Sequence, residues 1–347
     1  QARHTGGWGR LLLLCASLGE AWRAYGPGFV CRVFRHGDRT PIENFPTDLH
    51  KESEWPQGFG QLTKTGMRQQ HELGQYTRKR YSKFLSATYN RKQVYIQSTD
   101  YDRTLMSAQT YLAGLFPPIG NQIWNPRILW QPIPVHTRPQ SADKRIHNYT
   151  LPEWATKDFT DKMQKLTELS LLSLFGIYKT EEKSRLQGGV LMNDILKNIK
   201  KAANPSNKRK LRIYSAHDTT IGALQVALNI FNGKLPPYSA CQFFELYQES
   251  SGQYSIEMYY RNDTSKDPYL LTLPGCTPAC PLEKFAELVS PVLVEDWSKA
   301  CGNKDIMRVC FAKMLCVCNS LSNLLKLWVL TIVSANQARS LVQRDPG

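Results

Sequence analysis

The sequence predicts an α/β protein with a central, mixed but mostly parallel sheet flanked by helices. Three observations predict it. Short runs rich in β-branched and aromatic residues alternate with longer amphipathic stretches, the pattern of strands joined by crossover helices. Two of those runs end in reactive polar clusters, Arg35-His36-Gly37-Asp38-Arg39 and Ser215-Ala216-His217-Asp218-Thr219. Such residues belong at strand C-termini, where open α/β sheets bind ligands. The last strand-like runs follow one another without intervening helices, so an antiparallel portion completes the sheet.

"GFVCRVF" (28–34) reads as the first strand, with Cys31 and Arg32 inside it. A charged Arg32 in a central strand is costly to bury without a partner. "GMRQQHELGQYTRKRYSKFL" (66–85) reads as a helix with a charged outer face, where His71 has no chemical work. "QVYIQST" (93–99) is strand-like, and "DRTLMSAQTYLAGLF" (102–116) is a helix with Asp102 near its N-terminus, suited to the dipole there. Residues 117–139 are proline-rich and irregular, while Met163, Leu166, Leu169 and Leu172 predict an amphipathic helix over 157–175. "GVLMNDILKNIKKA" (189–202) is a further helix, "KLRIYSA" (210–216) a strand, and "TIGALQVALNIFNG" (220–233) a helix. "FFELYQ" (243–248), "GQYSIEMYYR" (252–261) and "YLLTL" (269–273) are the closing strands, with Tyr254, Ile256, Met258 and Tyr260 in alternation.

The chain of 347 residues carries a net charge of +15, which raises nucleic acid, membrane surface or acidic ligand as partners. Its lysines and arginines are scattered, and the densest run, "KNIKKAANPSNKRK" (197–210), reads as the solvated end of a helix and a loop. No finger spacing, aromatic-basic RNA signature or heptad is present, so nucleic acid is not expected as a partner. Nine cysteines suit an oxidising compartment. Cys276 and Cys280, four apart around a proline turn, are expected to form a local disulfide. The sequons at Asn148 and Asn262 fit glycosylation in the same compartment. Arg10 followed by "LLLLCASL" (11–18) is signal-like, which points to secretion or the lysosomal route. "MLCVCNSLSNLLKLWVLTIV" (314–333) is long enough to span a bilayer. Lys326 and several polar residues interrupt it, so a divergent tail is favoured over a membrane anchor.

The two polar clusters carry the chemistry. Arg35 and Arg39 can present planar, permanently charged forks to phosphate oxygens, and Arg103 opens the helix after "QSTDYD". His36 then lies in an arginine-rich pocket, where positive charge lowers its pKa and keeps a ring nitrogen free to attack phosphorus. His217 can donate to the phosphoryl group, and Asp218 is placed to protonate a leaving oxygen or to cap a helix. A metal-dependent reading of His217-Asp218 would need further His and Asp ligands at suitable spacing, which the sequence does not offer.

"FRHGDRTP", "GQLTKTGMRQQHELGQYTRKRY", "STDYDRTLMSA", "LFPP", "SAHDTT" and "LPGCTPACPLEKFAELV" together resemble the histidine acid phosphatase family, from about Phe29 to Cys301. RHG alone marks a wide superfamily that includes mutases; with the downstream arginine segment and SAHDTT the pattern is highly specific. The resemblance implies a phosphoglycerate mutase-like fold and a metal-independent acid phosphatase with no cofactor. In that family the RHG histidine becomes a phosphohistidine, here His36. The arginines that cradle phosphate match Arg35, Arg39 and Arg103; the supporting histidine and the proton donor match His217 and Asp218. The resemblance also suggests that Trp130 and His136 belong to a homodimer contact.

Two departures accompany it. After Arg145 the chain passes directly to Ile146, where the family has several tens of further residues belonging to a helical cap beside the site. That segment carries the cysteines that, in the resemblance, pair with the positions of Cys241 and Cys301, so both are expected to be free and reactive. The residues after Cys301 also depart from the family's usual ending. The expected organisation is a signal-like segment (1–25), a discontinuous α/β catalytic domain (26–137 and 186–300), a reduced cap (138–185) and a divergent cysteine-rich tail (301–347). The alternative to an active phosphatase is a catalytically weak or inactive variant that keeps the pocket only for binding.

Overall fold

A computed structural model describes residues 26–43, 50–138, 174 and 180–300. The signal-like segment, the sequon at Asn148, Cys301 and the tail lie outside the described residues, as does all of the helix expected over 157–175 except Leu174, which is helical and buried.

The strands are β1 (Phe29–Arg35), β2 (Val94–Thr99), β3 (His136–Arg138), β4 (Leu211–Ala216), β5 (Cys241–Gln248), β6 (Tyr254–Arg261), β7 (Tyr269–Leu271) and β8 (Cys280–Pro281). They form one sheet in the order β3-β2-β4-β1-β5-β6-β7, with β8 beside β6. The first four in that order run parallel, and β5, β6 and β7 continue antiparallel from β1, as expected. β1 and β4 are neighbours in register, Arg35 opposite Ala216, so the polar clusters that follow them emerge side by side.

The helices are α1 (Lys64–Arg80), α2 (Asp102–Leu115), α3 (Thr180–Ser184), α4 (Val190–Ala202), α5 (Asp218–Ala227), α6 (Leu282–Val289) and α7 (Trp297–Ala300). One core lies under α1 and α2 and takes Val30 and Phe34 from β1. The other takes Phe29, Cys31 and Val33 from the opposite face, with Ile195 of α4, Leu224 of α5 and Phe285 of α6. β1 is thus buried on both faces, which is why it reads as an unbroken apolar run rather than an alternation.

Several boundaries differ from the sequence reading. α1 starts earlier, at Lys64, because the Thr63 hydroxyl accepts from the Gly66 amide and caps the helix, and it stops at Arg80. α5 begins at Asp218 and ends at Ala227, just before Asn229 takes the left-handed conformation (φ 54°). β3 lies inside the stretch read as irregular; its pairing with Gln97–Thr99 of β2, and not its composition, makes it a strand. α3 leads into α4 through a π-helical segment, Arg185–Gly189, so helical structure crosses residue 185.

Arg32 is fully buried but not partnerless. Its Nη1 donates to the Tyr111 hydroxyl at 3.0 Å and to that of Thr77, and its guanidinium lies 4.1 Å from the centroid of the Phe243 ring. Hydroxyls and ring faces take the place of a carboxylate. The expected disulfide Cys276–Cys280 is formed. Cys241 is free, as expected, but it is not a reactive thiol in the fold: it is wholly buried, and burial raises its pKa against the opposing pull of Arg32.

Candidate active site

The residues after β1 and β4 meet at the C-terminal end of the parallel strands. His36 donates its backbone amide to the Ala216 carbonyl (3.0 Å), which continues the β1–β4 ladder one step into the site. Gly37 then passes so close to the first turn of α1 that a Cβ there would sit 2.3 Å from the Gly66 carbonyl oxygen. The Asp38 carbonyl accepts from the Thr63 amide, and the Asp38 carboxylate accepts from the Thr63 hydroxyl at 2.6 Å, so the loop is bound to the start of α1.

His36 is 3% exposed. Its Nδ1 lies 2.7 Å from the Gly37 carbonyl oxygen. A carbonyl only accepts, so Nδ1 carries the proton and Nε2 keeps its lone pair. Burial drives the pKa well below the ordinary histidine value, and Arg35, Arg103 and Arg39 push it the same way. Both causes favour the neutral ring over the imidazolium.

Arg35 is held on two sides. Its Nη1 donates to the Pro236 carbonyl (2.7 Å), and its Nη2 pairs with Asp218 Oδ2 (2.8 Å). Its guanidinium stacks 4.1 Å from the centroid of the Tyr238 ring. The Arg35 Nε is buried without a hydrogen-bond partner among the described residues, a donor that an anion would satisfy. Arg39 donates to the Thr40 carbonyl, and Arg103, in the first turn of α2, lies 4.6 Å from the Tyr101 ring centroid.

His217 occupies the N-cap position of α5, so Asp218 is the first helical residue and not the cap itself. Asp218 Oδ1 accepts from the Thr219 amide at 2.6 Å, while Oδ2 holds Arg35. His217 Nε2 is 2.9 Å from the Thr99 hydroxyl, and its ring meets His36 edge-on with centroids 5.3 Å apart. All six residues singled out from the sequence, Arg35, His36, Arg39, Arg103, His217 and Asp218, thus come from one end of the sheet.

Sequence reasoning missed the residues that hold this arrangement. Gln69 Oε1 accepts from the Asp38 amide (2.8 Å), and Gln70 Nε2 donates to the Arg35 carbonyl (2.8 Å) and to Ser239 (2.9 Å). Ser107 accepts from the Gly37 amide (3.1 Å). Tyr101 and Tyr238 supply ring faces to the arginines. The only sequence signal was two adjacent glutamines inside an otherwise amphipathic helix. Trp130 is partly exposed, and His136, stacked on Tyr95 at 4.5 Å, lies on edge strand β3 away from this cluster. His71 stays on α1, and His50 pairs with Glu54 on the surface. Among the described residues no group of three or more His, Cys, Asp or Glu is arranged to hold a metal ion.

Fold and site together define an α/β protein with a histidine set in a basic anion pocket. The family model of the Histidine phosphatase superfamily (branch 2) matches residues 28–170 and 146–261. Prostatic acid phosphatase of Rattus norvegicus is 51% identical over 357 residues, covering 84% of this chain and 93% of that protein. Lysosomal acid phosphatase of Homo sapiens is 41% identical, covering 97% and 96%. Among solved structures, the phytase of Hafnia alvei in complex with tartrate superposes with a TM-score of 0.55 at 14% identity, covering 78% of this chain and 97% of that one. The chain belongs to the histidine phosphatase superfamily, branch 2. Residues 146–170 are matched twice by the family model. The alignment to the rat protein runs over 357 positions while using 84% of a 347-residue chain, so tens of the relative's positions have no counterpart here.

Proposed function

We propose that this chain is a phosphoric monoester hydrolase that works through a covalent phosphohistidine on His36. The observation that carries the reading is the setting of His36: its Nδ1 lies against the Gly37 carbonyl, and burial beside three arginines favours the neutral ring, which leaves Nε2 as the nucleophile. Arg35, Arg39 and Arg103 hold the phosphoryl oxygens and offset the charge that develops on them. Nε2 attacks phosphorus, the ester P–O bond breaks, and the departing oxygen takes a proton from Asp218. Water then attacks the phosphohistidine, the P–N bond breaks, and Asp218 recovers a proton as inorganic phosphate forms. General acid catalysis needs the carboxyl in its protonated form. The family and the acid phosphatase relatives support hydrolysis, and the non-catalytic alternative has no support.

A secretory or lysosomal setting is supported by the Cys276–Cys280 disulfide, the exposed sequon residue Asn262 and the names of the relatives. No helix of the described residues is long and apolar enough to cross a membrane. A homodimer through edge strand β3 is supported by the exposed apolar side chains Trp124, Leu129 and Trp130, with His136 on the strand itself. We assign residues 26–137 and 186–300 to the catalytic domain and 138–185 to a shortened cap.

Rapid quench with a labelled phosphomonoester tests the mechanism. Acid-labile, base-stable phosphate should be trapped on the wild-type chain and be absent from His36→Ala. Undiminished turnover by His36→Ala would sink it.

A further inference from the structure

Two stretches distant in sequence, 78–93 and 200–210, contain eleven lysines and arginines and no acidic residue. The fold joins them. The amides of Lys210 and Leu211 both donate to the Gln93 carbonyl (2.9 Å each). Arg209 Nη1 donates to the carbonyls of Arg91 (2.8 Å) and Val94 (2.6 Å), and Lys210 Nζ to that of Phe84 (2.8 Å). These contacts consume Arg209 and Lys210 in holding the surface together. Lys79, Lys83, Arg91, Lys92, Lys200, Lys201 and Lys208 remain exposed around them. The cations of these two distant stretches, eleven of the chain's 44 lysines and arginines, are therefore gathered on one pole of the molecule.

Helix ends explain part of this. Arg78, Lys79 and Arg80 occupy the last turn of α1, and Lys200 and Lys201 the last turn of α4, where cations suit the terminal carbonyls. That account does not reach Lys83, Arg91, Lys92 or Lys208, which lie in the connecting loops. The pole is also placed away from the chemistry. It surrounds the N-terminal ends of β2 and β4, whereas His36 and His217 follow the C-terminal ends of β1 and β4. At a rise of about 3.3 Å per residue, β4 alone puts roughly 20 Å between them.

We infer that this pole is a docking surface for a linear sulfated polysaccharide, which anchors the enzyme with its catalytic pocket facing away. Flexible lysines are point charges without fixed geometry, and they suit closely spaced sulfates better than a single shaped anion. Among the described residues, the two basic stretches carry no large exposed apolar side chain; the nearest, in 119–130, adjoin the pole where the Gln122 side chain bonds to the Tyr89 backbone, and they lie in an irregular segment and not on an amphipathic helix that could enter a bilayer. Its aromatic residues are buried (Tyr81) or half-buried (Phe84 and Tyr89), and Lys210 lies over the Phe84 ring, so no platform is left for stacked bases.

The test is titration of the full chain with heparin over a range of salt, beside neutral dextran, phosphatidylserine vesicles and oligo-dT. Heparin should bind most tightly, with affinity falling as salt rises, and phosphatase activity should be unchanged at saturation. The triple variant Lys83→Glu, Lys92→Glu, Lys208→Glu should bind heparin about tenfold or more weakly, by loss of three counterion-releasing contacts. The milder variant Lys83→Gln, Lys92→Gln, Lys208→Gln should show a smaller loss in the same direction. A control with equal charge change elsewhere, Lys234→Glu, Lys266→Glu, Lys284→Glu, should stay close to wild type. The proposal fails if the wild-type chain does not bind heparin, or if the control loses as much as the pole variant. It also fails if vesicles or oligo-dT bind more tightly, or if heparin competes with substrate and so occupies the phosphate pocket.

Discussion

His36, the proposed nucleophile, is positioned by groups on neighbouring elements. The peptide between Gly37 and Asp38 presents its carbonyl to His36 Nδ1 and its amide to Gln69 Oε1. Gln69 thereby orients the group that fixes the histidine tautomer. Gln69→Leu should lower kcat about tenfold with little change in KM, since one such hydrogen bond contributes roughly 0.5–1.5 kcal/mol. Gln69→Glu keeps an acceptor and should recover most of the loss; an equally impaired Gln69→Glu would reduce Gln69 to ordinary packing. Asp218 has a different signature. Asp218→Asn should slow an alkyl phosphate by about 100-fold or more, the usual contribution of a general acid. Nitrophenyl phosphate, whose leaving group needs no proton, should be affected far less. Equal losses on the two substrates would point to a role in holding Arg35 alone.

At the scale of elements, the site depends on how closely α1 and α2 approach. Gly74 and Gly114 form the crossing: a Cβ on Gly74 would lie 2.1 Å from the Tyr111 carbonyl oxygen, and one on Gly114 would lie 2.2 Å from that of His71. α1 carries Gln69 and Gln70, and α2 carries Arg103 and Ser107, so the crossing sets the distance between the two sides of the pocket. Gly74→Ala would ordinarily strengthen a helix by about 1 kcal/mol. Here it forces two backbones apart, at a cost of about 1–3 kcal/mol or more. The net expectation is a lower Tm together with weaker phosphate binding, read by thermal melts with and without inorganic phosphate. An increase in Tm would show that the crossing is looser than its geometry indicates.

For the whole molecule, the buried neutral histidine links stability to pH. Above about pH 6.5, the ordinary histidine value, His36 is neutral in both folded and unfolded chains and contributes no pH dependence. Below it, the unfolded chain takes up a proton that the folded site refuses, so stability falls with pH until the lowered folded value is reached. The slope from this one group approaches about 1.4 kcal/mol per pH unit. Wild type should therefore lose more Tm between pH 7.5 and 5 than His36→Ala does; equal losses would mean that the site admits the proton. The sequence by itself determined the class of fold and singled out His36, the arginines and the HD pair as the candidate site, because strand periodicity and the residue types that chemistry requires are local signals. It also determined the Cys276–Cys280 bridge, whose partners are four residues apart. Only the tertiary structure decided the rest. Gln69 and Gln70 look like any polar pair on a helix until α1 lies against the loop after β1. Arg32 looks misplaced until Thr77, Tyr111 and Phe243 close around it from three other elements. The basic pole is two unrelated helix ends with the loops that follow them until β2 and β4 pair. Each depends on contacts between residues tens of positions or more apart, which no local pattern of sequence encodes.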